Sequence, residues 1–258
     1  RVEALAASGE PTYGISTGFG GLATQGIPAE DRARLQRALI ASHAAGMGDP
    51  VEPEVTRAMV LLRARTLATG VTGARPALAA ALLRLLNEGD LPEVPEFGSL
   101  GCSGDLAPLA HVALALDLEL EAKEGLALVN GTDGMLGMLV LACADLGGLL
   151  RAADVAAAMS VEGLLGTDRP FAADLVGLRP HPGQQRAAAN VAALLAGSPI
   201  VASHRTDDPR VQDAYSLRCA PQVHGAARDA LAFAETCADR ELASAIDNPV
   251  VLADGRVE

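Results

Sequence analysis

Tryptophan is absent, and aromatic residues make up only 2% of the 258 residues. Half of the chain is nonetheless hydrophobic, enough to bury a sizeable core. That core has to be built mainly from Ala, Leu and Val. Ala and Leu are strong helix formers, so the composition favours packed helices over sheets. Positive charge is also scarce: the net charge is −12, and Lys123 is the only lysine. A chain without a basic stripe lacks the electrostatic footprint of a nucleic-acid binder. Its acidity serves solubility. The use of Arg in place of Lys reads as a coding bias with little functional content.

Cys102, Cys143, Cys219 and Cys237 form no CxxC pair, and no Cys/His cluster has zinc spacing. Reduced thiols in a cytoplasmic protein without a metal are the expectation. The start, Arg1-Val2-Glu3-Ala4, has no charged-then-apolar leader pattern. The most apolar run, Gly134 to Ala144, is flanked by Asp133 and Asp145. It falls short of the roughly 20 apolar residues that a membrane span needs. A helix apolar all round also fits the inside of a bundle, and that reading is preferred to a membrane one.

Helix signals dominate what is present. Pro28-Ala29-Glu30-Asp31 places a proline and two acids at a helix start, with Leu35, Leu39 and Ile40 on one face. Pro53 and Pro76 open two more helices, the second stopping near Gly89. Val155 to Leu165, Gln184 to Leu195 and Gly225 to Ile246 also carry helical periodicity. Strand signals are confined to Glu93 to Phe97 and Val250 to Leu252. There is no internal repeat and no low-complexity linker. Gly clusters at Tyr13 to Gly21 and at Phe97 to Gly104 mark tightly turning loops, where function tends to sit. Arg1 to Ala7 reads as the tail of a helix, and Glu258 follows a turn at Asp254-Gly255, so a fragment is expected.

The loop Gly98-Ser99-Leu100-Gly101-Cys102-Ser103-Gly104-Asp105-Leu106-Ala107-Pro108-Leu109 suits an unusual backbone reaction. Attack of the Gly104 amide nitrogen on the Cys102 carbonyl closes a five-membered ring. Loss of water from the ring and from the Ser103 side chain leaves an exocyclic methylene. A Cβ on the third residue would block the bend, and the middle residue must carry a β-leaving group. The first side chain stays outside the ring. A bare X-Ser-Gly turn opening a helix is the ordinary alternative, and the extended string is far more specific.

That string resembles the signature of the aromatic amino acid ammonia-lyases, whose prosthetic group is 4-methylidene-imidazol-5-one (MIO). Cys102 stands where Ala is commonest in that family. Further segments carry the resemblance along essentially the whole chain. Tyr13-Gly14-Ile15-Ser16-Thr17-Gly18-Phe19-Gly20 is similar to the loop whose tyrosine takes the substrate β-proton. Free tyrosine has a pKa near 10, so its surroundings would have to lower it for that work. Ser42-His43 is similar to the ring-reading segment of the histidine-acting branch. Asn130, in Glu124 to Thr132, would lie beside the MIO carbonyl and the bound amino acid. In Arg210 to Gln222, Arg218 would bind the substrate carboxylate, Gln212 would contact MIO or substrate, and Tyr215 would help position both.

The connection after Asp117 is shorter than is usual in the family. His111, His181, His204 and His224 are taken as structural.

The resemblance implies an all-α fold with a long-helix central bundle of the aromatic amino acid lyase and fumarase-like superfamily. Residues 1–110 would form a loop-rich, MIO-bearing active-site region and 111–258 a helical-bundle region, with a C-terminal part of the family missing. It implies a homotetramer whose active sites draw on three subunits. It also implies elimination of ammonia from L-histidine to give trans-urocanate. The rivals are a tyrosine or phenylalanine lyase or aminomutase using the same MIO, a non-catalytic helical scaffold, and an inert fragment of an enzyme.

Overall fold

The preference of Ala and Leu for helix is realised throughout the computed structural model, which describes residues 1–102 and 104–258. The fold is all-α apart from one two-stranded sheet. Two compact units divide the chain. The first comprises Arg1–Leu139 and Asp239–Glu258, and the second comprises Val140–Ala238. The boundaries fall inside two long helices.

The first unit begins with α1 (Val2–Ser8) and α2 (Arg32–His43). Strand β1 (Met47–Pro50) follows, then α3 (Pro53–Ala68) and α4 (Pro76–Glu88). After β2 (Pro95–Phe97) come α5 (Leu106–Leu114), α6 (Glu124–Val129) and the start of α7 (Asp133–Gly163). Pro53 and Pro76 occupy first-turn positions, and Gly89 ends α4 in the left-handed region at φ 86°. Pro28 opens a short 3-10 turn, and α2 follows from Arg32. The expected strand near 93–97 pairs antiparallel with β1, which gave no strand signal. At 250–252 there is only an isolated bridge, Val251 to Val257.

One core joins Leu39 and Ile40 of α2, Met59 and Val60 of α3, Leu78 and Leu82 of α4, Leu109 and Val112 of α5, and Leu126 to Val129 of α6. Because α5 and α6 share this core, the compact unit runs past the residue 110 drawn from motif content.

The second unit holds the rest of α7, α8 (Ala173–Val176), α9 (Pro182–Leu195), α10 (Pro199–Ser203), α11 (Tyr215–Arg218) and most of α12 (Ala220–Leu242). Its core is Val161, Phe171, Val176, Val191, Leu195, Val201 and Leu217. Asp154 is buried at its centre. It accepts from Arg228 at 2.7 Å, Asn190 at 2.7 Å and His224 at 2.9 Å, tying α7, α9 and α12 together.

Two segments expected as separate helices, at 134–144 and 155–165, are one continuous α7. The stretch Glu124–Gly163 is long and apolar enough to cross a membrane, with mean hydropathy 1.6. Only 17% of its most apolar window is buried within this chain, so the all-round burial expected of a bundle helix is not met here. Leu149 and Met159 stand exposed on it.

The lone lysine is more than compositional residue. Lys123 is fully buried, and its Nζ donates to Asp247 Oδ2 at 2.6 Å and to the Thr72 carbonyl at 2.6 Å. Burial pushes the Lys123 ammonium down and the Asp247 carboxyl up from their ordinary values, each charge opposing the other's shift. Lys123→Met leaves a buried carboxylate unpaired and is expected to cost about 3–5 kcal/mol in denaturant unfolding. Lys123→Met with Asp247→Leu should recover most of that loss; a double variant as unstable as the single one would contradict the pairing.

Next to it, Glu124 is buried while Arg75 remains partly exposed, and the two meet at 2.6 Å. Burial opposes the Glu124 charge. The Arg75 guanidinium and the backbone N–H groups of Glu121 and Arg75 overcome that and hold the carboxyl below its ordinary range. A depressed folded pKa gives stability that is present above the unfolded value and lost as pH falls through the folded one. The stability gap between wild type and Glu124→Gln should therefore narrow on acidification below the ordinary carboxylate range, read from unfolding curves across pH.

Candidate active site

In the first unit, the segment after residue 103 is pinned at several points. Ser103 itself lies outside the described residues. Cys102 is exposed, and Gly104 is buried. A Cβ on Gly104 would stand 2.7 Å from Leu106 Cδ1 and 3.0 Å from Asn130 Oδ1, so any larger residue here would have to displace those two side chains. Asp105, fully buried, donates its N–H to the Gly131 carbonyl at 2.6 Å. Its carboxylate accepts from Ser99 Oγ and, at 2.8 Å, from the Met135 N–H. The Met135 bond satisfies one of the unpartnered donors at the start of α7. The loop's two ends are thus tied to one side chain, and its glycine faces Asn130. That arrangement fits a ring closed between residues 102 and 104.

Asn130 follows the last turn of α6. Its Nδ2 donates to the Asn248 carbonyl at 3.1 Å. Arg63 holds its backbone: Nη1 donates to the Asn130 carbonyl at 2.9 Å and to the Ala127 carbonyl at 3.3 Å, and Nη2 donates to the Ile246 carbonyl at 2.9 Å. Arg63 Nε lies 3.3 Å from Asp133 Oδ2 without hydrogen-bond geometry. Burial pushes the Asp133 carboxyl up, and the Arg63 charge works against that shift.

Tyr13 is half-buried and packs edge-on to Phe19, with ring centroids 6.4 Å apart. Its hydroxyl oxygen accepts the Gly20 N–H at 3.3 Å. The turn depends on Gly14, at φ 69°, where a Cβ would stand 2.7 Å from Leu126 Cδ2. A cavity of about 380 Å³ is lined by Thr12, Tyr13, Asn248 and Pro249. Asn248 therefore touches both the Tyr13 cavity and Asn130. His43 ends α2, half-buried, with Nδ1 2.8 Å from the Leu39 carbonyl oxygen.

The remaining expected residues lie in the second unit. Arg218 Nη1 donates to Gln212 Oε1 at 2.5 Å, and its guanidinium stacks 4.4 Å above the Tyr215 ring. Arg218 Nε is buried without a partner among the described residues. Gln212 and Arg218 line a cavity of about 490 Å³ together with Arg169, Arg179, Gln184 and Gln222. Against Asp213, which also lines this cavity, three arginines leave it net positive, which suits an anionic ligand. The expected residues thus fall into two groups, Tyr13, His43, Gly104 and Asn130 in one unit and Gln212, Tyr215 and Arg218 in the other.

Sequence reading missed the roles of Arg63, which holds the Asn130 carbonyl, of Asp105, which follows Gly104 and ties Ser99 to Met135, and of Asp247, which anchors the segment carrying Asn248 to Lys123. His111, His204 and His224 each bond backbone or carboxylate groups, at Gly46, Gly166 and Asp154. Asp105→Ala removes the acceptor of Met135 and Ser99 and is expected to cost about 1–3 kcal/mol. Amide hydrogen exchange at Met135 should accelerate in that variant, and an unchanged rate there would remove the capping role.

The aromatic amino acid lyase model matches residues 1–117 and 116–258. The histidine ammonia-lyase of Streptomyces avermitilis is 56% identical over 283 residues, covering 100% of this chain and 55% of that protein. That of Deinococcus radiodurans is 48% identical, covering 98% of this chain and 53% of that protein. The crystal structure of tyrosine aminomutase from Streptomyces globisporus superposes with a TM-score of 0.89 at 36% identity, covering 99% of this chain and 56% of that one. The chain spans about half the length of the curated relatives it matches. The two matched segments meet at 116–117, where the sequence has its short connection, and the 283-residue alignment is longer than the 258 residues here. A glycine cradled beside an asparagine, within a match spanning every residue, leaves one assignment: the chain belongs to the aromatic amino acid lyase family.

Proposed function

We propose that the protein eliminates ammonia from L-histidine to give trans-urocanate, with MIO formed from Cys102, Ser103 and Gly104. The observation that carries this reading is 56% identity, across the whole chain, to a histidine ammonia-lyase. Ser42-His43 supports histidine over the tyrosine and phenylalanine alternatives. Leu106 and Asn130 would hold the group at Gly104. When formed, it supplies an electron-poor alkene that draws electrons from the substrate.

The chain's own residues then do the binding and the proton transfer. Arg218 holds the carboxylate through its planar fork, kept in place by Gln212 and by the Tyr215 ring. Tyr13 takes the β-proton at its hydroxyl oxygen, steadied by the Gly20 N–H. His43 fixes the ring, which presents the β-carbon to Tyr13. Asn130 fills the space beside Gly104.

We place this activity in a cytoplasmic homotetramer with shared active sites. Four free thiols and the exposed Leu149, Met159 and Phe233 on α7 and α12 support that placement.

Ultraviolet monitoring of the purified enzyme with L-histidine, L-tyrosine and L-phenylalanine in parallel tests the reading. Urocanate from L-histidine alone is expected. Product only from the other two would keep the family and reject the substrate. Silence with all three is resolved by the peptide mass across 102–104, which shows whether two waters have been lost. Tyr13→Phe should lower kcat by about 10²–10⁴-fold. Arg218→Lys should lower kcat/KM by roughly tenfold or more.

A further inference from the structure

The cavity that Arg218 lines holds more positive charge than one substrate needs. Arg169, Arg179 and Arg218 share its wall with a single carboxylate, Asp213. One substrate carboxylate occupies one guanidinium fork. Asp213 does not neutralise the other two, because it is buried and already engaged: Oδ2 accepts the Thr167 N–H at 2.7 Å, and Oδ1 lies 3.8 Å from Arg210. Arg169 meets Asp174 only at 4.0 Å with both side chains exposed, a contact of little worth. Arg179 takes part in no ion pair and no side-chain hydrogen bond among the described residues.

Gln184 points to a ligand independently. It lies in the first turn of α9, is only 6% exposed and lines the same cavity. A side-chain amide carries two donors and an acceptor, and one buried this far ordinarily has partners. Among the described residues the Gln184 side chain has none. The rest of the wall is largely hydrocarbon, with Leu175, Val176 and Val211. The arginines stand on separate segments: Arg169 precedes α8, Arg179 lies between α8 and α9, and Arg218 ends α11. Cations on separate segments with hydrocarbon on the same wall suit an anion that has two heads and an aliphatic spacer.

We propose that this cavity binds a small aliphatic dicarboxylate, with one head on Arg218 and the other on Arg179 and Gln184, and that the bound dicarboxylate shuts L-histidine out. The exclusion rests on Arg218 being the carboxylate anchor of the proposed function; the binding does not. A two-headed anion gains charge-assisted hydrogen bonds at both ends, whereas a single carboxylate leaves Arg179 and Gln184 unanswered. A compact dianion such as phosphate carries enough charge but lacks the spacer to reach both. Arg169 adds positive charge to the same cavity. The enzyme would thereby be inhibited by dicarboxylates that share no ring with its substrate.

The test is isothermal titration of the full-length enzyme with malonate, succinate and glutarate, with propanoate and inorganic phosphate alongside. At least one dicarboxylate is expected to bind roughly tenfold or more tightly than propanoate or phosphate. Arg179→Gln and Gln184→Leu should each remove that advantage. Arg179 is exposed, so its variant should melt with the wild type and carries the test alone if Gln184→Leu fails to fold. In steady-state assays the same dicarboxylate should raise the KM for L-histidine and leave kcat unchanged. Arg179→Gln should abolish that inhibition while keeping the turnover of L-histidine.

Propanoate or phosphate binding as tightly as every dicarboxylate overturns the two-headed site. So does an absence of dicarboxylate binding, or an advantage that Arg179→Gln leaves untouched. Binding that falls in both Arg179→Gln and Arg218→Lys, without any rise in the KM for L-histidine, upholds the dicarboxylate site and rejects both the exclusion and Arg218 as the substrate's anchor.

Discussion

The geometry around Asn130 depends on one buried guanidinium. A helix as short as α6 ends with carbonyls that have no intrahelical donor, and burial denies them water. Arg63, fully buried on α3, supplies those donors to Ala127 and Asn130. The same group reaches Ile246, from a segment more than a hundred residues away in sequence. A planar fork with five donors can serve three carbonyls at once, which an ammonium on a flexible stem does poorly. Asn130, the 246–248 segment and the start of α7 are thereby set in one frame. The Lys123–Asp247 pair fixes the same segment from its other side. Two buried cations thus hold a loop whose carbonyl, at Asn248, orients the Asn130 amide.

How much of this was legible in the sequence follows from what each feature depends on. The helices announced themselves because their signals are local: proline at first turns, glycine at ends and periodic Leu. The Gly98–Gly104 loop was legible because the proposed ring closure demands particular residue types in a fixed order. The strand at Met47–Pro50 was not, since its four residues are exposed and carry neither alternation nor β-branched side chains. Its pairing with Pro95–Phe97 is a tertiary event. Arg63, Asp105 and Asp247 were equally silent, because a buried charge is defined by partners far away in the chain. Lys123 offered a faint signal as the single lysine, and composition alone made it look like bias.

The two groups of expected residues show different physics. Gly104 and Asn130 sit in a packed frame where an added methyl group would press on the Leu106 and Asn130 side chains. Tyr215 is 69% exposed, and Gln212 is exposed as well. Arg218 is ordered there by stacking and by one short hydrogen bond. Stacking on an aromatic face keeps a guanidinium charged and planar while leaving its edge open to a carboxylate.

The contrast between exposed Cys102 and buried Gly104 bears on how this tripeptide can drift over evolutionary time. At the third position a Cβ would press on the tips of Leu106 and Asn130, so any replacement there has to displace both side chains. At the first position the side chain is exposed and meets no such constraint. A thiol in place of a methyl group at residue 102 therefore displaces nothing, whereas a change at residue 104 has to be answered by its neighbours.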